Sequence, residues 1–161
     1  MIGFGIAVSV MVGQYIGENN PKMARKSAYS GFHIAISYMT MMVILYLSVP
    51  DLFFKPFIAS GNNADMEAIR KIVIVLIRFI AVYSIFDTFN IIFAAAIKGA
   101  GDTRFVMRML AVLSASILII PSYFALIVFK QNVYIGWAIV SVYIISLGIG
   151  FYLRFLGGKW E

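Results

Sequence analysis

The constraint that governs this chain is an apolar run of about 29 residues, 69–97, that is long enough to cross a hydrocarbon core of ~30 Å and whose only acid is Asp87. Inside a bilayer no water is available to satisfy backbone N–H and C=O groups, so such a run must be helical. Asp87 lies 9 positions after Arg78 and 11 before Lys98. At 1.5 Å per residue it therefore sits about 16 Å from Lys98, close to the bilayer midplane. A carboxylate held there costs at least ~2.5 kcal/mol and by default marks an ion or proton path.

Composition supports the membrane. The chain is 62% hydrophobic and 12% charged, against roughly 45–50% and about 25% in soluble domains. The expected class is all-α, a polytopic integral membrane helical bundle of about five transmembrane helices. With no cysteine and a single histidine, disulfide frameworks, thiol chemistry and His-rich metal sites are excluded. The net charge of +6 does not point to nucleic acid. The basic residues stand singly or in pairs at the ends of apolar runs, which is the pattern of lipid headgroup contact and topology.

Five apolar segments follow one another at 2–17, 27–49, 69–97, 105–129 and 133–155. The first is at or below the ~17-residue minimum for a span, and it lacks both the basic region and the small-residue cleavage site of a signal peptide. It reads as a helix cut short. The second is expected to end at Pro50-Asp51, because the residue before proline avoids helical geometry. Residues 51–67 form a polar linker, in which Lys55 and Pro56 indicate an interfacial piece and Ser60, Gly61, Asn62 and Asn63 a turn. The third segment is long enough to tilt or to project from the bilayer, Pro121 predicts a kink in the fourth, and the fifth closes on Gly157, Gly158, Lys159 and Trp160, an aromatic beside a cation at the interface.

Basic residues collect on one side: Lys22, Arg25, Lys26, Lys98, Arg104, Arg108, Arg154 and Lys159 against Lys55, Arg70, Lys71 and Lys130, with Arg78 inside a span near its outer end, where its stem can snorkel. The bias predicts a multi-pass protein of the plasma membrane with a cytoplasmic C-terminus. The N-terminus then falls outside, from which we expect upstream helices to be missing.

Two glycine motifs lie on the cytoplasmic side. Gly13 and Gly17, flanking Gln14, share a helix face and allow close approach of a neighbour. Lys98, Gly99, Ala100, Gly101, Asp102, Thr103 and Arg104 join the third and fourth segments. A phosphate-binding loop would need Gly-Lys-[Ser/Thr] after a strand, and a dinucleotide fingerprint a third glycine in a βαβ unit; neither is present. The physical expectation is a tight turn in which Gly99 and Gly101 take positive φ, Asp102 or Thr103 caps the next helix, and Lys98 and Arg104 meet headgroups.

Taken in order, the Val12 to Gly17 motif before Pro21-Lys-Met-Ala-Arg25, the Gly99 to Arg104 motif after a span bearing an aspartate, and the terminal Gly158-Lys-Trp resemble the multidrug and toxic compound extrusion (MATE) family. The resemblance covers nearly the whole chain. It implies a twelve-helix, two-lobe fold, of which this chain is similar to the second lobe from its eighth to its twelfth helix. It further implies efflux of cationic or amphipathic drugs or metabolites by antiport with Na⁺ or H⁺, and no cofactor besides that ion. Asp87 would be the cation-site aspartate of the tenth helix. The partners implied are membrane lipid, a cationic small-molecule substrate, and the N-terminal lobe and seventh helix, whose carboxylate has no counterpart here.

On a helix, Tyr83, Ser84 and Asn90 lie three or four positions from Asp87 and are placed to supply oxygens beside it. Sodium would want several such oxygens, whereas a proton needs only the carboxylate. An aspartate that merely hydrogen-bonds a neighbouring helix is the bland alternative. His33 reads as an interfacial or packing residue, and the nine Met and fourteen Phe as packing or lipid-facing groups. Two other functional classes stay open: a non-transporting membrane remnant or assembly subunit, and a lipid-linked oligosaccharide flippase, against which the acidic Asp87 argues. An enzyme is not expected, since no span carries a paired carboxylate, a His cluster or a Ser/His pair.

Overall fold

The computed structural model describes residues 1–48, 63–128, 132–158 and 160, with the side chains of 63–72, 127 and 133 outside that description. All regular structure among the described residues is helical. Helix α1 spans Ile2–Gly17, α2 Pro21–Ser48 and α3 Asn63–Gly99. A fourth rod starts as α4, Thr103–Leu113, and the chain closes with α6, Val133–Leu156.

The same device turns the chain after α1 and after α3. Asn19 has φ 54°, and the N–H groups of Asn20 and Asn19 reach back to the carbonyls of Tyr15 and Ile16 at 2.8 and 3.0 Å. This is the paired closure of a Schellman cap, which satisfies carbonyls that a helix end leaves orphaned. After α3, Gly101 takes the left-handed position with φ 95°, while Asp102 and Gly101 donate to Ile97 and Lys98 at 3.1 and 3.0 Å. Asn20 then starts α2 by accepting the Met23 N–H on Oδ1 at 3.2 Å, and Pro21 occupies the first helical position, where its missing N–H costs nothing.

Two helices begin earlier than the hydropathy predicts. Proline-led capping brings Lys22, Arg25 and Lys26 into α2 instead of leaving them in a loop, and α3 already includes Asn63 and Glu67. The expected helix end at Pro50-Asp51, Lys55 and Pro56 of the linker, the turn residues Ser60 to Asn62, Lys130 and Lys159 lie outside the described residues.

Pro121 acts differently from a simple kink. The fourth rod passes from α4 into a π-helix, Ser114–Ile119, a single α-turn, α5, Ile120–Ser122, and a second π-helix, Tyr123–Val128. Proline lacks an N–H, and its ring collides with the carbonyl four residues earlier in an α-helix. The widened turn before Pro121, which holds that carbonyl, relieves the collision without breaking the rod.

Successive rods reverse direction, so α1, α3 and α6 run parallel. Gly5 faces Ile91 and Gly13 faces Gly99 along α1 and α3; Phe86 faces Gly148 along α3 and α6. The central helix is α3, and its buried face Ile92 to Ile97 meets Val8 and Val12 of α1, Ala24, Ala28 and Ala35 of α2, and Leu147, Phe151 and Phe155 of α6. Phe93 sits among Phe32, Tyr152 and Phe155 with ring centroids 5.1, 5.0 and 4.9 Å away. In lipid such packing, rather than exclusion from water, holds helices together. Four of the rods, Pro21–Ser48, Val73–Gly99, Thr103–Leu126 and Tyr134–Leu156, are long and apolar enough to cross a membrane, while Ile2–Gly17 is shorter. The protein is a multi-pass helical membrane bundle.

Trp160 folds back on the end of α6. Its ring stacks on Phe155 at 4.7 Å and its indole N–H donates to the Phe155 carbonyl at 2.7 Å, so it caps the helix as a residue buried against the bundle. Asp102 likewise departs from expectation. It stands at the N-cap of α4 with no side-chain capping bond, because its Oδ2 accepts from Arg154 Nε and Nη2 at 3.0 and 2.7 Å, while the same guanidinium covers the Phe105 ring at 4.5 Å. The pair is partly exposed, so the substitution Asp102→Ala is expected to cost only about 0.5–1 kcal/mol, read as a small fall in thermal midpoint by circular dichroism.

Candidate functional site

The site begins with the length of α3. Because α3 is packed on three helices along its inner half, its residues cannot all turn toward lipid, and Asp87 comes to lie half-buried beside the buried Ser84 and Thr88. Asn90, one turn on, donates through Nδ2 to Asp87 Oδ1 at 3.3 Å. Turned over, the same amide would offer an oxygen instead, so the pair can present either a hydrogen-bonded carboxylate or two converging oxygens.

The four residues expected at this position do not all converge. Ser84 is buried, and its carbonyl accepts the Thr88 hydroxyl at 3.0 Å. Tyr83 turns to α6, where its ring stacks on Trp137 at 6.3 Å and 20°. The two rings line a cavity of about 420 Å³ together with Ser122, Leu126, Gly136 and Val140. Asn90 is therefore the polar side chain that the structure brings onto Asp87. Thr88, adjacent to Asp87 in sequence, points about 100° away from it on the helix and bonds only within α3, to the Ser84 carbonyl.

A cleft of about 410 Å³ opens between α1, α3 and α4. Asn90 lines it toward the middle of α3 and Lys98 toward the end, with Ser9, Ala94 and Ala95 between them. Asn90 thus connects the carboxylate to the cleft. Among the described residues there is no group of three or more His, Asp or Glu side chains that could hold a metal ion.

The glycine motifs frame this cleft. A Cβ on Gly99 would overlap the Ser9 carbonyl, and one on Gly13 would come within 3.1 Å of the Gly99 oxygen. Gly99 is thus required for close approach of α1 and α3; the positive φ belongs to Gly101. Gly17 has no neighbour within 4 Å of a Cβ, so the closeness comes from Gly13 pairing with Gly99 rather than from a Gly13–Gly17 face. Gln14, Thr103, Arg104 and Lys98 are exposed around the same end of the bundle, while Lys22, Arg25 and Lys26 lie in the first turns of α2. His33 is exposed on α2.

A hydroxyl pair that sequence reading did not single out lies on the fourth rod. Ser114, at the first π-turn, and Tyr143 of α6 share a hydrogen bond of 2.8 Å. Two hydroxyls in separate apolar spans are the only signal for it, and that signal does not specify a pairing.

Comparison with known proteins places this geometry in context. The family model MatE matches residues 1–124. A probable multidrug resistance protein NorM of Mesorhizobium japonicum is 30% identical over 69% of this chain and 24% of its own length. The probable NorM of Brucella suis is 26% identical over 67% and 23%, and the multidrug resistance protein PmpM of Pseudomonas aeruginosa 32% identical over 65% and 21%. The chain thus spans about a quarter of the length of these curated relatives. No solved structure matches it.

Proposed function

Because the chain belongs to the MatE family, we propose that it forms part of a secondary active exporter, which moves cationic or amphipathic drugs or metabolites out of the cell in exchange for Na⁺ or H⁺. The observation that carries this reading is the Asp87–Asn90 pair at mid-span on α3, joined to a cleft between helices. A carboxylate is retained at that depth against a cost of at least ~2.5 kcal/mol, which cation or proton loading offsets. The multidrug resistance names of the relatives support drugs as cargo.

In this reading the chain works within a two-lobe transporter, with the N-terminal lobe and a further helix beside α1 supplying the rest of the pathway. Loading of Asp87 neutralises it, and the neutral and charged forms favour different packings of the lobe, which is how an ion gradient biases alternating access. Lys22, Arg25, Lys26, Arg104 and Arg108 cluster at the turn end of the bundle, which supports a cytoplasmic C-terminus.

The test is gradient-driven transport by a complete two-lobe protein containing these residues, reconstituted in liposomes. Imposing either a Na⁺ or a pH gradient is expected to drive accumulation of a fluorescent cationic drug at least tenfold above a no-gradient control, and to identify the ion. Drug movement indifferent to both gradients overturns antiport.

A further inference from the structure

Asp87 is not the only charge inside α3. Arg78 falls in the described span Val73–Gly99 and is exposed on its surface. It lies ~12 Å along the axis from the middle of that span, just inside the edge of a ~30 Å hydrocarbon layer. Asp87 is nine residues further along α3, ~13 Å away, and among the described residues no acid pairs with Arg78.

Arg78 itself borders a groove of about 420 Å³ between α3 and α6, walled by Val75, Phe79 and Val82 on one helix and Ala138 and Val142 on the other. Ser141 also borders the groove, but its hydroxyl is committed to the Trp137 carbonyl at 2.8 Å. A cation thus stands within an apolar groove that runs one turn deeper into the membrane, to Val82, and about one turn back toward the headgroups, to Val75. A side chain that only snorkels would need no such channel.

We infer that Arg78 and this groove form a site for one anionic phospholipid, in the leaflet that holds the N-terminal half of α3. The guanidinium takes the phosphate through paired N–H donors, a geometry that favours Arg over Lys. One acyl chain lies along Phe79, Val82 and Val142. The bound lipid supplies the counter-charge that the described residues do not offer Arg78 and fills the gap between the two parallel helices. This site is separate from the Asp87 cleft and does not depend on the transport reading.

Native mass spectrometry of the detergent-solubilised chain tests it, with phosphatidylglycerol and phosphatidylcholine of identical acyl chains as probes. Phosphatidylglycerol is expected to bind at least tenfold more tightly. Arg78→Gln should lower its affinity about tenfold, the scale of a lost charged hydrogen bond, and Arg78→Lys should recover only part. Val82→Trp, which fills the groove and leaves the charge, should weaken both lipids severalfold. Circular dichroism confirms that each variant keeps its helix content. Equal binding by Arg78→Gln overturns the headgroup assignment, as it would if a carboxylate of another polypeptide were the true partner. Unchanged binding by Val82→Trp overturns the acyl groove.

Discussion

Asp87→Asn, in a complete two-lobe protein carrying this lobe, is expected to lower ion-coupled drug accumulation about 10- to 100-fold, the scale of a lost charged interaction. Asparagine matches aspartate in size and can still meet Asn90, now 3.3 Å away, so helix packing around Ser84 and Thr88 has no reason to change. What disappears is the ability to carry charge and to lose it. Transport of a fluorescent cationic drug under imposed Na⁺ or H⁺ gradients reads the effect, and melting curves confirm that the variant is folded. Coupled transport at the parent level in a folded Asp87→Asn protein would remove Asp87 from the mechanism and leave the pair as a structural hydrogen bond. Asn90→Ala separates the two jobs further. It should shift the ion concentration needed for half-maximal transport while leaving the carboxylate in place.

The second large effect concerns stability. Gly99→Val places a branched side chain where a Cβ already overlaps the Ser9 carbonyl. The obstacle is backbone inside a helix, so neither side can yield by changing a rotamer, and α1 must move. We expect a loss of about 3 kcal/mol or more, at the upper end of overpacking costs, seen as a lowered midpoint of thermal unfolding in detergent. Gly17→Ala is the matched control. It meets nothing within 4 Å and should be neutral or slightly stabilising, since alanine gains helix propensity. A Gly99→Val protein as stable as the parent would mean that α1 does not pack on α3 in the membrane.

The helical bundle itself was legible from apolar run length, because only helices satisfy their backbones in lipid. Asp87 was legible for the same reason: a charge in such a run is expensive wherever the helix points. Its partner was only half legible. Periodicity placed Tyr83, Ser84 and Asn90 within reach, yet three- and four-residue spacings spread over about a third of a helix circumference, and only packing against α6 decided that Tyr83 would turn to Trp137. Glycine roles were confounded in a similar way. Freedom of φ and absence of a side chain are both properties of glycine, so sequence could not tell that Gly101 serves the first and Gly99 the second. The pairing of Asp102 with Arg154, 52 positions apart, has no local signal at all.

The π-turns around Pro121 have a bearing on how the fourth rod can age and adapt. A π-turn holds more residues per turn than an α-turn, so Ser114–Ile119 and Tyr123–Val128 store surplus chain inside a helix whose length the bilayer sets. A single-residue deletion in either stretch can be absorbed by tightening into ordinary α-helix, whereas the same deletion in α3 would rotate every later side chain by about 100° and scatter the Phe93 cluster. A single-residue deletion is therefore expected to be tolerated better in the fourth rod than in the third, read as helix content and thermal midpoint in detergent.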